Sequence, residues 1–410
     1  MAETNITERF EFLTDIITSY DGKEQRIRLR EHPRHFVSYN YDAMNSSEAQ
    51  WLKAQLRMRS TDIYYIPMWH NISYLSEDFK TGKSLYIEKE YMYNFRHCDA
   101  IEIFFRDGVS SSPNIQKVVF GYGDGIIYLN KKLDITLDKR NAYIVPMYKC
   151  VTQASNNINY PFSNGLETVM NFREVISSSS TVEIPNKYLS EYVYDIPKFN
   201  RYSLPTVVDN REVFLYEPQW IDNSLDMSIG KNMTEADNLS GVMRYDLKNT
   251  KSYDSYTLDI LLENKNMINN IIKFFYRVSG RYKSFYAPSW VNDFNVAVDI
   301  TDNSNFIYIN IDFIYKYYVN NARNKKIVVF TKDYKSYIYD VIGYSTGIVN
   351  RKTYGKLILS KTADVNIPKE HVTMISFLNL VRFESDELRL DYESNVVALT
   401  SVTLKEVDDV

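Results

Sequence analysis

The chain has 410 residues, with 48 Lys and Arg against 52 Asp and Glu and a formal net charge of −4. That length exceeds one ordinary core and predicts two or three domains, while the charge balance excludes a global basic signature for nucleic-acid binding. The two cysteines, Cys98 and Cys150, exclude a disulfide framework and suit assembly in a reducing cytoplasm. No apolar run is long enough for a transmembrane helix. The opening MAETNITERFEF is polar and acidic and has no signal-peptide core, so no export is expected. Tyrosine is over-used, at 35 residues beside only 13 glycines. Tyr, Phe and Val favour half-buried pleated surfaces, and Tyr also favours protein interfaces.

In chain order, residues 12–18 predict a strand, followed by a turn at Tyr20-Asp21-Gly22-Lys23, where Asp-Gly supplies positive φ. Two short strands flank Pro33. From Arg34 onward, His35, Val37 and Tyr39 alternate with Phe36, Ser38 and Asn40. Ser46 or Ser47 is expected to cap a helix bearing Trp51, Leu52, Leu56 and Met58 at helical spacing. An apolar strand then ends at Ile66-Pro67-Met68-Trp69. Residues 72–175 read as short strands at 84–88, 100–106, 118–122, 126–129, 133–137, 143–151 and 168–175. Regular spacing of this kind points to a sandwich or barrel.

Residues 181–240 read as a bridge and lead strand between a first module, 1–180, and a second, 241–410. Strands are predicted at 242–247 and 255–260. A helix over 262–278 carries Ile268, Ile271, Ile272 and Phe275 as an apolar stripe, with Gly280 at its C-terminal cap. Later strands are expected at 306–313, 326–330, 337–341, 354–359, 371–381, 388–392 and 396–404.

The two modules read as copies of one unit. Trp69 and Trp290 are 221 positions apart, as are Pro67 and Pro288, and Asn71 and Asn292. Lys53 and Arg57 answer to Lys273 and Arg277 at 220. The run from Gly121 to Ile127 answers to that from Gly343 to Val349 at 222, and Lys132-Leu133 to Lys356-Leu357 at 224. Phe172-Arg173-Glu174-Val175 answers to Leu404-Lys405-Glu406-Val407 at 232. Each copy reads as strands, a helix lying on the sheet, a strand ending at Pro-x-Trp, then a β meander. The fold class is thus mainly β with a few helices (α+β): two tandem β-barrel or sandwich modules, each flanked by an amphipathic helix. Trp69 and Trp290 are expected to anchor the helix-to-sheet corners as core.

No catalytic, cofactor or metal residue is assigned. The histidines, His32, His35, His70, His97 and His371, lack metal-ligand spacing and read as surface or strand residues. Cys98 reads as a buried inert thiol rather than a nucleophile. Gly121-x-Gly123-x-Gly125 lacks the helix and Gly-Lys of a phosphate loop and reads as a turn. Asp299 and Asp302 read as a polar turn rather than a cation site. Arg26, Arg28 and Arg30 line one strand face that is solvated or faces a partner. Tyr315-Lys316-Tyr317-Tyr318 with Arg323, Lys325 and Lys326 fits either nucleic-acid or sugar stacking or a Tyr-rich interface.

Two stretches resemble a family. The run from Thr14 to Arg26, TDIITSYDGKEQR, leading into an Arg-rich strand, is similar to the start of distal-tail and related tail proteins of bacteriophages and gene-transfer agents. Phe274-Phe275-Tyr276-Arg277-Val278-Ser279-Gly280-Arg281, followed by an aromatic strand ending in Pro288-Ser289-Trp290, resembles the helix, Gly-Arg and aromatic-strand element of the same proteins. The resemblance covers roughly residues 12–75 and 240–300.

It implies a barrel or sandwich with a flanking helix and no active site. It also implies assembly as a ring, tube or sheath of a virion tail, built in the host cytoplasm from this chain and other tail, adaptor or appendage proteins. Passing DNA would then meet an acidic or neutral face without sequence-specific binding. A receptor- or carbohydrate-binding tail or baseplate component is the alternative, and a β-rich enzyme a third reading that the few histidines disfavour.

Overall fold

A computed structural model describes residues 3–19, 22–43, 45–58, 62–88, 95, 98, 100–105, 114–117, 125–152, 157–163, 165–175, 207–220, 225–237, 239, 241, 243–311 and 326–408. The chain is mainly β. Its first half runs β1 (Glu3–Glu11), β2 (Thr14–Thr18), β3 (Glu24–Arg28), β4 (Arg34–Ala43), α1 (Ser46–Met58), β5 (Tyr64–Pro67), β6 (Ser73–Tyr74), β7 (Gly82–Tyr86), β8 (Ala100–Phe105), β9 (Asn114–Lys117), β10 (Ile126–Leu133), β11 (Ala142–Thr152), β12 (Ile158–Asn159) and β13 (Leu166–Glu174). A small hairpin, β14 (Val207–Val208) and β15 (Arg211–Glu212), precedes the second half. There follow β16 (Leu225–Asp237), β17 (Met243–Leu262), α2 (Lys265–Val278), β18 (Phe285–Pro288), β19 (Phe306–Ile309), β20 (Lys326–Thr331), β21 (Ser336–Val349), β22 (Lys352–Leu359), β23 (Val372–Phe383), β24 (Glu387–Tyr392) and β25 (Ala398–Glu406).

One set of antiparallel pairings occurs twice. In the first half β1 pairs with β4, β4 with β13, and β13 with both β11 and β12. Strand β11 also pairs with β5 and β8, β8 with β9, and β7 with β10. In the second half β16 pairs with β17, β17 with β25, and β25 with both β23 and β24. Strand β23 also pairs with β18 and β20, β20 with β21, and β19 with β22.

The registers agree as well. Ile6 faces Tyr39 as Leu225 faces Leu258, both shifted by 219. Val37 faces Phe172 as Tyr256 faces Leu404, shifted by 219 and 232. Thr14 faces Arg28 as Met233 faces Leu247, again at 219. The turns closing these two hairpins each hold a glycine at φ 85°, Gly22 and Gly241, the positive φ that a Cβ disfavours.

Helix starts follow the same spacing. The Asn45 side chain accepts the Glu48 N–H at 2.9 Å, and the Asn264 side chain accepts the Met267 N–H at 2.9 Å. Asn45 is therefore the cap of α1, not Ser46 or Ser47, because its oxygen reaches the free N–H of Glu48, the third residue of the helix. With these caps aligned, Ala49, Leu52 and Leu56 superpose on Ile268, Ile271 and Phe275, and Lys53 answers to Ile272 rather than to Lys273. Helix α2 buries Ile268, Ile271, Ile272, Phe274, Phe275 and Val278, each side chain contributing roughly 1.5–3 kcal/mol of burial. Helix α1 buries only Ala49 and Leu52, and its Trp51 and Met58 are exposed. Beyond α2, Ser279 and Gly280 both take positive φ, so the left-handed cap begins one residue before the expected glycine.

Several expectations need correction. Residues 3–11, read as a polar start, form β1, because a strand pairing on both edges does not require an apolar sequence. Residues 242–262 were expected as two strands, yet 243–262 form one 20-residue strand. In the meander Leu85 faces Ile127 and Ile307 faces Leu357. Ile127 thus answers to Leu357 at 230, so the match of Leu133 to Leu357 does not hold, while Gly121 lies outside the described residues. The intervening segment is eight residues longer in the second half. Expected strand 118–122 lies outside the described residues.

Four apolar clusters fill the fold. Val37, Tyr39, Leu52, Met68, Tyr148 and Phe172 lie in the cluster under α1, and Leu85, Ile101, Ile127 and Ile144 in the first meander. Ile307, Ile327, Leu357 and Ile375 lie in the second meander. The largest cluster, under α2, includes Phe214, Phe275, Phe285 and Leu404, and takes Phe10 and Phe12 from the start of the chain.

Candidate functional site at the joint between the halves

Strand β1 has two neighbours, one from each half. Its one edge pairs with β4, and its other edge pairs with β24, Ile6 facing Tyr392, Glu8 facing Leu390 and Phe10 facing Leu388. The sheet therefore runs on from the first half into the second. Along β1 the apolar register Ile6, Phe10 and Phe12 is interrupted at Glu8, which places a carboxylate inside the joint.

Glu8 is buried and held on both oxygens. His35 Nε2 donates to Glu8 Oε1 at 2.8 Å, and the Tyr392 hydroxyl donates to Glu8 Oε2 at 2.6 Å. His35 Nδ1 donates to Glu174 Oε2 at 2.9 Å, and its ring stacks on Phe10 with centroids 4.8 Å apart. His70 Nε2 lies 3.4 Å from Glu8 Oε1. The Lys265 ammonium, at the start of α2, donates to the His70 carbonyl at 3.0 Å and to Asn71 Oδ1 at 2.5 Å. Seven side chains from β1, β4, β13, β24, α2 and the turn after β5 thus meet in one buried polar clasp.

Burial opposes the charge of Glu8, His35, His70 and Lys265, and the pairings decide the outcome. For Glu8, burial would raise the pKa, but the nearby imidazoles and their hydrogen bonds hold it well below the usual carboxylate range. For His35, burial would lower it, but the bonds to Glu174 and Glu8 raise it to about 10. His70 is lowered by burial, with Lys265 adding to the effect. Lys265 is lowered to about 8 by burial, against the pull of Glu8. At neutral pH His35 is therefore an imidazolium held between Glu8 and Glu174, and His70 is neutral.

A second seam lies one turn along. The β2–β3 hairpin folds over onto the end of α2, the end of β23 and the turn before β24. Glu24 binds Arg382 through two hydrogen bonds of 2.7 and 2.8 Å, and Arg382 is among the most buried side chains. Arg26 donates to the Tyr282 carbonyl at 3.1 Å and Arg28 to Ser279 Oγ at 3.4 Å. Asp386 accepts the Thr14 N–H at 2.6 Å and the Arg281 N–H at 2.9 Å. Arg30 donates to the carbonyls of Glu11 and Phe12 at 3.2 and 3.3 Å. The Arg26, Arg28 and Arg30 face thus meets the chain itself.

The opposite sheet face at the joint forms a concavity of about 690 Å³ lined by Thr7, Arg9, Ser38, Asn171, Arg389 and Asp391. Its groups are matched among themselves: Thr7 donates to Asp391 at 2.6 Å, Arg389 pairs with Asp391, and Arg9 lies over the Phe36 ring at 4.5 Å.

The other residues singled out in the sequence fall apart from one another. Trp290 is buried and stacks on Phe330 at 5.3 Å, and Trp69 lies on Phe104 at 4.8 Å. Trp69 is only half-buried, so one of the two expected anchors is core and the other lies at its margin. Cys98 is half-buried and donates to the Phe95 carbonyl at 3.2 Å, and Cys150 is buried. Asp299 accepts the Lys369 N–H and Asp302 donates its own to Asn366, as in a polar turn. Lys326 pairs with Asp209 and Asp340. His97, Gly121, Gly123, Tyr315, Lys316, Tyr317, Tyr318, Arg323 and Lys325 lie outside the described residues. Among the described residues no His, Cys, Asp and Glu cluster fits a metal ion, and no helix is long and apolar enough to cross a membrane.

His35 lies on strand β4 as expected, whereas His70, expected at the surface or on a strand, is buried in the turn after β5; neither Glu8 nor Lys265 was singled out from the sequence. The readable signal was Glu8, a charge standing in the apolar register of an alternating strand. No known protein-family model matches the chain, and no curated protein matches it either.

Proposed function

We propose that this chain is a structural, non-enzymatic component of a bacteriophage tail. It builds a ring, tube or sheath from repeated copies of one β module and is assembled in the host cytoplasm with other tail proteins. The observation that supports this reading is the doubled pairing pattern joined edge to edge through β1, a construction that continues by adding further copies. The resemblance of residues 14–26 and 274–290 to distal-tail proteins supports the tail assignment. So does the exposed apolar row on β16 and β17, with Met227, Ile229, Met233, Tyr245 and Leu247 out in solvent. Contiguous exposed apolar surface of this kind marks interaction sites.

The test is electron microscopy of the purified full chain, alone and with the particle that carries it. Annular or tubular particles, and labelling of the tail by an antibody against the chain, are expected. A monodisperse monomer at micromolar concentration, together with labelling elsewhere on the particle, would end this reading.

A further inference from the structure

Among the described residues, the joint inside the chain has an unpaired counterpart at each end of the chain's own pattern. Strand β1 stands to β4 as β16 stands to β17, at an offset of 219. Strand β24 stands to β25 as β12 stands to β13, at 232: Asp391 faces Leu399 as Asn159 faces Glu167. Side chains repeat the match, since Thr168 Oγ1 donates to the Asn157 carbonyl and Thr400 Oγ1 to the Arg389 carbonyl, both at 2.7 Å. Within the chain β1 pairs with β24. Among the described residues β16 pairs only with β17, and β12 only with β13.

Burial and chemistry follow the same logic. Glu8 and Phe10 are 4% and 6% exposed in the joint, whereas their counterparts Met227 and Ile229 are 51% and 68% exposed. Tyr392 is 4% exposed, whereas its counterpart Tyr160 is 48% exposed. The counterpart of Leu390 is Ile158, again apolar. The salt-bridged pair Glu24 and Arg382 has Met243 and Val151 as counterparts, an apolar pair replacing an ionic one. These two surfaces thus present to each other the residue types of a buried contact.

From this we infer that a second copy of the chain covers them: β16 of one chain adds edgewise to β12 of the next, Met227 opposite Ile158 and Leu225 opposite Tyr160. The arm formed by residues 233–247 then lies over the next chain as the β2–β3 hairpin lies over the second half, bringing Met243 to Val151. The contact joins two different surfaces, so it propagates head to tail and closes as a ring when the rotation allows. Edge addition of this kind supplies main-chain hydrogen bonds for affinity and side-chain pockets for specificity. This inference rests on the self-assembly proposed above and names its contact.

The test uses full-length chains with Cys98→Ser and Cys150→Ser as background. Met227→Cys and Ile158→Cys are introduced singly and together and oxidised at micromolar concentration. The mixed single variants are expected to give a covalent dimer, each single variant alone none, and the double variant a ladder ending at a discrete size. Ile229→Lys is expected to abolish assembly while leaving the thermal midpoint of the monomer within about 2 °C. A covalent dimer from Met227→Cys alone overturns the inference in favour of a symmetric contact. Particles that assemble without cross-linking overturn this contact and leave self-assembly standing. A chain that neither cross-links nor assembles overturns both.

Discussion

Glu24 and Arg382 lie 358 positions apart and bind through paired hydrogen bonds, with Arg382 almost wholly enclosed. Breaking such a pair from one side strands the other charge in a low-dielectric setting, at a cost of about 3–5 kcal/mol. Glu24→Ala and Arg382→Ala should each lower the unfolding free energy extrapolated from urea titration by an amount in that range. The double variant should lose less than the two added together, since the partners act as one unit. Additive losses would mean that the contact is not formed in solution.

The clasp around Glu8 makes stability depend on pH in a direction set by two raised or lowered groups. His35 binds its proton up to about pH 10 in the fold but only to ~6.5 when unfolded. Its contribution is full below ~6.5 and falls by about 1.4 kcal/mol per pH unit above that. Lys265 has the opposite sign: it loses its proton near 8 when folded and near ~10.4 when unfolded, so it adds stability as pH rises above 8. Urea midpoints should therefore decline from pH 6.5 to 8 and level off between 8 and 10. Below ~4.5 they should fall again as the lowered Glu8 takes up its proton. Replacing His35 by Gln should flatten the limb between 6.5 and 8.

Trp290 and Trp69 occupy equivalent corners, each against an equivalent Phe, but differ in burial. Trp290→Ala should cost about 3–5 kcal/mol. Trp69→Ala, at the margin of its core, should cost about 1–2 kcal/mol, as partial burial implies. Thermal denaturation of the two variants measures the gap, and equal losses would mean that both rings are equally enclosed.

Asp386 holds the N-terminal hairpin down by accepting the Thr14 and Arg281 amides. Asp386→Ala leaves those donors without a partner, at about 1–3 kcal/mol. The loss should be local, so amide exchange at Thr14 and along β2 should quicken more than exchange in α2. Uniform quickening across the chain would place Asp386 in the global core instead.

Much of this architecture was legible in the residues. The β class came from Tyr, Phe and Val usage and α2 from its apolar stripe, while Pro67 and Pro288 each end a strand, β5 and β18, and Glu174 and Glu406 each end another, β13 and β25. These are positions where a side chain's size or ring is fixed by packing. The helix alignment slipped by one because Lys53 and Arg57 are solvent-side residues that packing does not constrain, whereas Asn45 and Asn264, which cap, carry the true spacing. The match of Leu133 to Leu357 failed because the segment between the paired strands differs in length by eight residues, so a short Lys-Leu pair recurs there out of register. The strand over residues 3–11 was hidden because its partners, β4 and β24, lie far along the chain, and no local pattern reports a pairing at that separation. His70 was misplaced for the same reason, since Glu8 and Lys265, which enclose it, lie far from it in the chain.

The pairing of β1 with β24 also sets an order of events during synthesis. Thr7 and Asp391 are 384 positions apart, and ribosomes add roughly 5–20 residues per second. The edge of β1 that will meet β24 is thus kept waiting for about 20–80 s after it emerges. Throughout that interval the nascent chain presents one bare strand edge, the kind of template that captures stray strands. The carboxylate of Glu8 and the guanidinium of Arg9 stand on that edge meanwhile, and charges there guard a growing chain against the wrong neighbour.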